Sequence, residues 1–557
     1  MKRLLFPLPG LALSVVLSLT LSVALSPDAT AQPRYTNPIL HMDYSDPDVC
    51  RVGEDYYMTA SSFNCFPGLP ILHSRDLVHW TLVGAALTDY VPEFHTSVQH
   101  ANGVWAPAIR YHDGWFYIFC GDPDRGIFMV KTQDPCGRWE DPVWVVRAKG
   151  FIDPCPLWDE DGTAWLSHAA AGSRAGLKSV LFMAPLAPDG THLLGPSRIV
   201  YDGHRTQPTI EGTKLYKRNG WYYIFAPAGG VKTGWQTVLR AKHPYGPWEE
   251  RIVMASAPGT INGPHQGGWV ETPSGESWFI HFQDKGAYGR IVHLQPLTWL
   301  PDAWPLIGED PDADGLGQPV SSWPMPSLHQ ANPPESRPLG PYGLPLEWQF
   351  PAVPSPYWHY ALPDGGVRLY SVEQAQKSAP EAPDWRQMKN LLLQKFPAER
   401  FTVVAKLVFH PNPQLGEKLE SAGFLVSGDE LAGFNLVSAK DAARLHFFIS
   451  RPEGGRIVDE VEEETAWIPY DKNREATCWV KLEVCPKDTG TPVPVAECRF
   501  FYSLDGKRFS PGMRFIARPE QWIGAKFGFF CNRYAPKNDA GWLDILDLRV
   551  VPESNPQ

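Results

Sequence analysis

A turn followed by an aromatic strand recurs five times in the first half of this 557-residue chain. The copies are Gly53-Glu54-Asp55-Tyr56-Tyr57-Met58, Asp113-Gly114-Trp115-Phe116-Tyr117-Ile118, Asp161-Gly162-Thr163-Ala164-Trp165-Leu166, Asn219-Gly220-Trp221-Tyr222-Tyr223-Ile224 and Ser274-Gly275-Glu276-Ser277-Trp278-Phe279. Their glycines stand 48 to 61 residues apart. Asp-Gly and Asn-Gly favour hairpins because both tolerate the positive φ of a tight loop, and the runs behind them are rich in strand formers. A repeat of this length holds four strands, and five such sheets around an axis make a five-bladed β-propeller. A second element recurs at Ser74-Arg75-Asp76-Leu77-Val78-His79-Trp80, Thr132-Gln133-Asp134-Pro135-Cys136-Gly137-Arg138-Trp139 and His243-Pro244-Tyr245-Gly246-Pro247-Trp248. Its tryptophans, with Trp115, Trp165, Trp221 and Trp278, read as packing between blades.

The chain is too long for one hydrophobic core. The repeats place the propeller at 35–305. From Pro301 to Tyr360 stand 14 of the 56 prolines, which predicts a stiff, poorly helical connector over 306–340. Beyond it, runs such as Phe401-Thr402-Val403-Val404-Ala405 and Cys478-Trp479-Val480-Lys481-Leu482-Glu483-Val484 alternate in polarity at strand length. They predict an antiparallel β-sandwich over 341–553, so the fold class is all-β.

Lys2 and Arg3 precede an apolar run, and Ala29-Thr30-Ala31 follows it as a small-residue cleavage site. Residues 1–31 therefore read as a secretory signal peptide, cut after Ala31, leaving a periplasmic or secreted protein with no membrane attachment. Nine cysteines, an odd number with no C-x-x-C pair, argue against a zinc site and allow one or two disulfides or none. Sixty-one Asp and Glu against 50 Lys and Arg give a charge of -11, which argues against nucleic acid as a partner.

The first strand of a propeller blade lines the central channel, so residues at matching offsets before the five motif glycines converge on one axis. Asp46, Trp105, Asp153, Glu211 and His265 lie 7 to 10 residues before those glycines. Three carboxylates repel one another and destabilise a channel unless they serve a function. Cleavage of a glycosidic bond needs two: a protonated acid for the leaving oxygen and an ionised base that activates water on the opposite ring face. A third beside the acid would raise its pKa. The chemistry does not assign the three roles.

At these positions the chain resembles glycoside hydrolase family 43. The matching residues are Asn37-Pro38-Ile39-Leu40, Tyr44-Ser45-Asp46-Pro47-Asp48-Val49, Val104-Trp105-Ala106-Pro107, Phe151-Ile152-Asp153-Pro154, Ile210-Glu211-Gly212 and Gly263-Pro264-His265-Gln266-Gly267. The sandwich is similar to the concanavalin A-like jelly roll at the C-terminus of the β-xylosidase branch. The resemblance implies an inverting enzyme with Asp46 as general base, Glu211 as general acid and Asp153 tuning the acid and orienting substrate. It implies that His265 holds a water-coordinated structural calcium on the axis, with no organic cofactor. Arg290 would contact substrate, and Trp105 and Phe63 would wall the sugar pocket. A sandwich loop caps the pocket in relatives, and Phe529-Phe530-Cys531-Asn532-Arg533 is the segment expected here.

Other patterns carry less. Ala228-Gly229-Gly230-Val231-Lys232-Thr233-Gly234 lacks the spacing of a phosphate-binding loop, and Asp459-Glu460-Val461-Glu462-Glu463-Glu464 reads as a solvated turn. The expectation is an exo-acting glycosidase that releases terminal α-L-arabinofuranose from arabinose- or xylose-containing plant oligosaccharides and polysaccharides. A β-D-xylosidase or a bifunctional enzyme is the alternative within the class, and a propeller that binds glycans without catalysis is the alternative outside it.

Overall fold

The computed structural model describes residues 32–553 apart from 89–92, 257–260, 328–339, 341, 375–384, 454–455, 462–464 and 491–492. The signal peptide read at 1–31 lies outside the described residues. The first half forms five sheets of four antiparallel strands, each in simple sequence order. The innermost strands are Asp48–Val52, Trp105–His112, Phe151–Trp158, Lys214–Arg218 and His265–Glu271. Each precedes the aromatic strand of its repeat, so the turn glycines join the first and second strands of every blade.

The chain ahead of the first blade closes the ring. Ile39 donates its N–H to the Val292 carbonyl at 2.9 Å, and Val292 returns one to Leu40 at 3.0 Å. Asn37 Nδ2 reaches the carbonyls of Leu294 and Val320 at 2.8 Å. The expected connector is different from what stands there. Pro305–Ile307 is the outer strand of the fifth blade, Gly317 bridges Met254, and Ser322–Pro324 pairs with Arg34–Thr36. The propeller chain thus runs on past 305 into the Pro-rich stretch, because proline is tolerated on edge strands, where no N–H is owed to a neighbour. Residues 328–339 of that connector lie outside the described residues.

The hydrophobic cores lie between blades. Phe225 and Phe279, both fully buried on neighbouring blades, stack with ring centroids 6.0 Å apart. Trp221, Trp269 and Trp299 pack around them, and Trp139, Trp278, Trp80, Trp165 and Trp248 occupy the corresponding seams. The second half forms a seven-stranded sheet facing an eight-stranded one over a core that includes Phe401, Phe424, Leu482 and Phe529. Buried and half-buried residues alternate along Ala476–Lys487, as a one-sided antiparallel strand requires. Arg456–Val461 pairs with Ala442–Glu453, so the start of the acidic run expected in a turn is strand. All nine cysteines are free thiols. Among the described residues the one α-helix is the four-residue Gly172–Ala175, and no helix is long and apolar enough to cross a membrane.

Deleting a fully buried aromatic ring from a seam removes its transfer energy and leaves a cavity. Phe225→Ala is expected to cost about 3–5 kcal/mol, read by urea unfolding. A loss below about 1 kcal/mol would contradict this account of blade packing.

Candidate active site

At the head of each inner strand one residue takes a left-handed backbone: Asp46 at φ 54°, Ala106 at 37°, Asp153 at 56°, Gly212 at 66° and Gln266 at 34°. In the second, third and fifth blades the ladder register also slips there. Such a conformation costs a non-glycine residue about 1 kcal/mol or more, and its recurrence around the ring shows that the kink is built in. It turns the strand head so that Asp46 and Asp153, at the kink, and Trp105, Glu211 and His265, one residue before it, gather at one end of the channel. The Gly212 position admits no side chain, because a Cβ there would lie 2.7 Å from Gln266 Cγ.

The three carboxyl groups have different surroundings. Asp46 is buried and accepts from Ser61 Oγ at 2.6 Å and from the Arg290 guanidinium at 3.1 Å. Arg290 is itself buried, its guanidinium 4.6 Å from the centre of the Phe282 ring. Asp153 accepts the Gly212 N–H at 2.7 Å, and burial followed by the charge of Asp46 raises its pKa. Glu211 is raised too, first by desolvation and then by the charges of Asp153 and Asp46. Its side chain is 35 % exposed, and the surrounding protein mass rather than full enclosure is what desolvates the carboxyl. Asp153 has a backbone donor for its ionised form while Glu211 has none among the described residues, so a proton shared by the pair resides on Glu211.

The His265 imidazole is fully buried, and desolvation followed by the charge of Arg290 pushes its pKa down to about 3, so the ring is neutral. Its Nε2 lies 3.7 Å from Glu211 Oε1, and neither ring nitrogen has a hydrogen-bond partner. On the wall, Trp105 Nε1 donates to the Ala101 carbonyl at 2.7 Å, and Phe63 sits in the same cluster. Trp522, from the sandwich, meets Trp105 edge-on at 4.7 Å and 89°.

Residues 35–305 match the model of glycosyl hydrolases family 43, and 341–547 match a beta-xylosidase C-terminal concanavalin A-like domain. A protein of Xylanibacter ruminicola named putative beta-xylosidase is 34% identical over 503 residues, covering 89% of this chain and 85% of the relative. The chain belongs to glycoside hydrolase family 43. A non-reducing end alpha-L-arabinofuranosidase of Bacteroides ovatus is 29% identical, covering 78% of this chain and 81% of that one. The crystal structure of a xylan beta-1,4-xylosidase from Bacillus halodurans shares the fold with a TM-score of 0.75 at 22% identity, covering 93% of this chain and 100% of that one.

In this family 43 glycosidase the cap does not come from residues 529–533. Phe529, Phe530 and Cys531 are fully buried within the sandwich, whose interior needs their apolar bulk. The loop just before that strand reaches the propeller beside the carboxyl groups. Trp522 accepts a hydrogen bond on its carbonyl from Ser45 Oγ at 3.4 Å, and Gly524 N donates to Asp43 Oδ2 at 2.9 Å. A Cβ on Gly524 would stand 2.6 Å from the Gly289 nitrogen, so the loop docks backbone against backbone. The other oxygen of Asp43 accepts the Arg290 N–H at 2.9 Å. One carboxylate therefore ties the cap to the strand that carries the guanidinium.

Ser61, Asp43 and Trp522 were not singled out by sequence. Ser61 holds both Asp46 and, through its oxygen, the Ala106 N–H at 2.7 Å, thereby linking the first two kinks. Ser61 stands on no repeat offset, and Trp522 lies over 400 positions from the partner it touches. Asp153→Asn removes a like charge from beside Glu211, so the pKa of Glu211 should fall. A carboxyl NMR titration checks this; an unmoved Glu211 would contradict the coupling.

Proposed function

We propose that the enzyme removes terminal pentoses from arabinose- and xylose-containing plant polysaccharides or their oligomers, by single-step inversion. The observation that carries this reading is the contrast between a carboxylate with donors on both oxygens, Asp46, and a carboxyl with a raised pKa, Glu211, at the same end of one channel. In the proposed mechanism Asp46 accepts a proton from the water that attacks the anomeric carbon. Glu211 gives its proton to the glycosidic oxygen as that bond breaks, and configuration at the anomeric carbon inverts. Because Glu211 must carry the proton, activity is lost as pH rises through its raised pKa. Asp153 sustains that pKa by its charge, and Arg290 holds Asp46 and is placed to meet sugar hydroxyls. Trp105, Phe63 and Trp522 supply apolar wall for the ring.

The exo mode is supported by the sandwich loop, which brings Trp522 against the propeller wall at Trp105. The names of the relatives support both a β-xyloside and an α-L-arabinofuranoside as substrate. These sugars present hydroxyls in similar positions, and one recess can take either.

The axial calcium is likewise a proposal. A neutral imidazole with both nitrogens unpartnered fits an ion bound through one nitrogen. Calcium prefers six to eight oxygens, and among the described residues no three His, Cys, Asp or Glu side chains converge as a ligand set. The fit is therefore to a hydrated ion, which when bound would add positive charge near Glu211. Export is proposed from the leader and its Ala-x-Ala site alone.

Side-by-side assays on p-nitrophenyl α-L-arabinofuranoside and β-D-xyloside test the reading. Cleavage of at least one is expected, and Asp46→Ala and Glu211→Ala should each lower kcat at least ~100-fold while leaving the fold intact. Cleavage of neither by the wild type, or an unchanged rate in either variant, would overturn it.

A further inference from the structure

Far from the carboxylates in sequence, the sandwich carries a groove of about 650 Å³ that the catalytic reading leaves unused. This lies in the range, about 300–1,000 Å³, of clefts that hold small ligands. One wall is the turn before the strand His359–Ala361, where Trp358 N donates to the Ser355 carbonyl at 3.1 Å and prolines flank Ser355. That turn presents Tyr357 at 82% exposure, and the strand after it presents Tyr360 at 53%. A tyrosine is normally half or more covered, since its ring is a large apolar body with one polar tip. Two such rings, one on the turn and one on the strand that follows, line one groove and give it exposed aromatic surface with phenol groups.

The charged part of the lining is balanced. Glu373 and Asp539 face the groove together with Arg533 and Lys537, two acids against two bases. Arg533 is fixed by a hydrogen bond from Nη1 to the Ser371 carbonyl at 2.7 Å and lies 3.9 Å from Glu373, while its Nε is buried with no acceptor. A site for phosphate or an acidic peptide would carry excess positive charge. Exposed aromatic rings in one groove with paired carboxylate and guanidinium groups instead suit a neutral ligand that is flat, weakly polar on its faces and ringed with vicinal hydroxyls.

We propose that this groove is a second glycan-binding site, which holds a neutral polysaccharide chain by stacking sugar rings on Tyr357 and Tyr360 while its hydroxyls bond to Arg533, Glu373 and Asp539. The choice of a pentosan as its ligand rests on the function proposed above; the groove itself does not. Such a site raises the local concentration of chain ends for a pocket that acts on one terminus at a time.

The test uses the full-length protein and insoluble arabinoxylan in a depletion assay in the cold. The double variant Tyr357→Ala, Tyr360→Ala should bind at least ~10-fold more weakly, as expected for the loss of about 1.4 kcal/mol of stacking. Its kcat/KM on the p-nitrophenyl glycosides should match the wild type, which also reports an intact fold. Tyr357→Trp, which keeps an aromatic face, should retain binding. Equal depletion of wild type and double variant, or no depletion of the wild type, overturns the proposal. Binding by a wild type that cleaves neither nitrophenyl glycoside would uphold the groove while removing the pentosidase reading.

Discussion

Three carboxyl groups share one end of a propeller channel, and the arrangement depends on buried positive charge, from Arg290 at Asp46 and from the fully buried Lys214 toward Asp153. Arg290 touches Asp46, and its charge also acts to lower the pKa of Asp153 and Glu211. Without it, three like charges in a low-dielectric recess would either take up protons or spread the strands apart. With it, Asp46 has donors on both oxygens, while burial first and the remaining repulsion second raise Asp153 and Glu211. The three carboxyl groups thus differ in their partners: Asp46 has the guanidinium and Ser61, Asp153 has the Gly212 N–H and the nearby charge of Lys214, and Glu211 has no donor among the described residues. Two contacts fix Arg290: the Phe282 ring against its guanidinium and Asp43 on its backbone nitrogen.

The same Asp43 joins the two domains at the site. Its carboxylate spans the start of the Arg290 strand and the Gly524 loop, so the cap cannot shift without disturbing the guanidinium. Trp522 then closes on Trp105 from the sandwich side. A second cross-domain contact, Lys526 Nζ to Cys65 Sγ at 2.9 Å, with the sandwich's own Gln349 Oε1 at the same distance, buries another cation nearby. The sandwich therefore contributes Trp522 and the Gly524 backbone to the surroundings of the site.

Much of this was legible in the sequence because propellers repeat. The turn glycines set the phase, and counting back from them found Asp46, Asp153, Glu211, Trp105 and His265 without any structural information. What counting could not see is the kink, which depends on a backbone angle and shifts the functional position by one residue between blades. The offsets of 7 to 10 residues were its only trace. Ser61 and Asp43 act through contacts that no periodicity marks. The cap was misplaced by several residues because Phe529 and Phe530 look like pocket aromatics in sequence, whereas the sandwich core claims them and leaves Trp522 on the preceding loop. The Pro-rich stretch misled in a similar way, since prolines that break a helix are harmless on the outer edge of the fifth blade.

The claim on which the mechanism rests is that Asp46 and Glu211 act in one displacement, from opposite faces of the sugar. The anomeric configuration of the first-formed product, followed by proton NMR before mutarotation, tests this most directly. Inversion predicts that an α-L-arabinofuranoside yields the β-anomer first and a β-D-xyloside the α-anomer. Appearance of the substrate's own configuration first would mean a covalent intermediate and would contradict the assignment of Asp46 as a base.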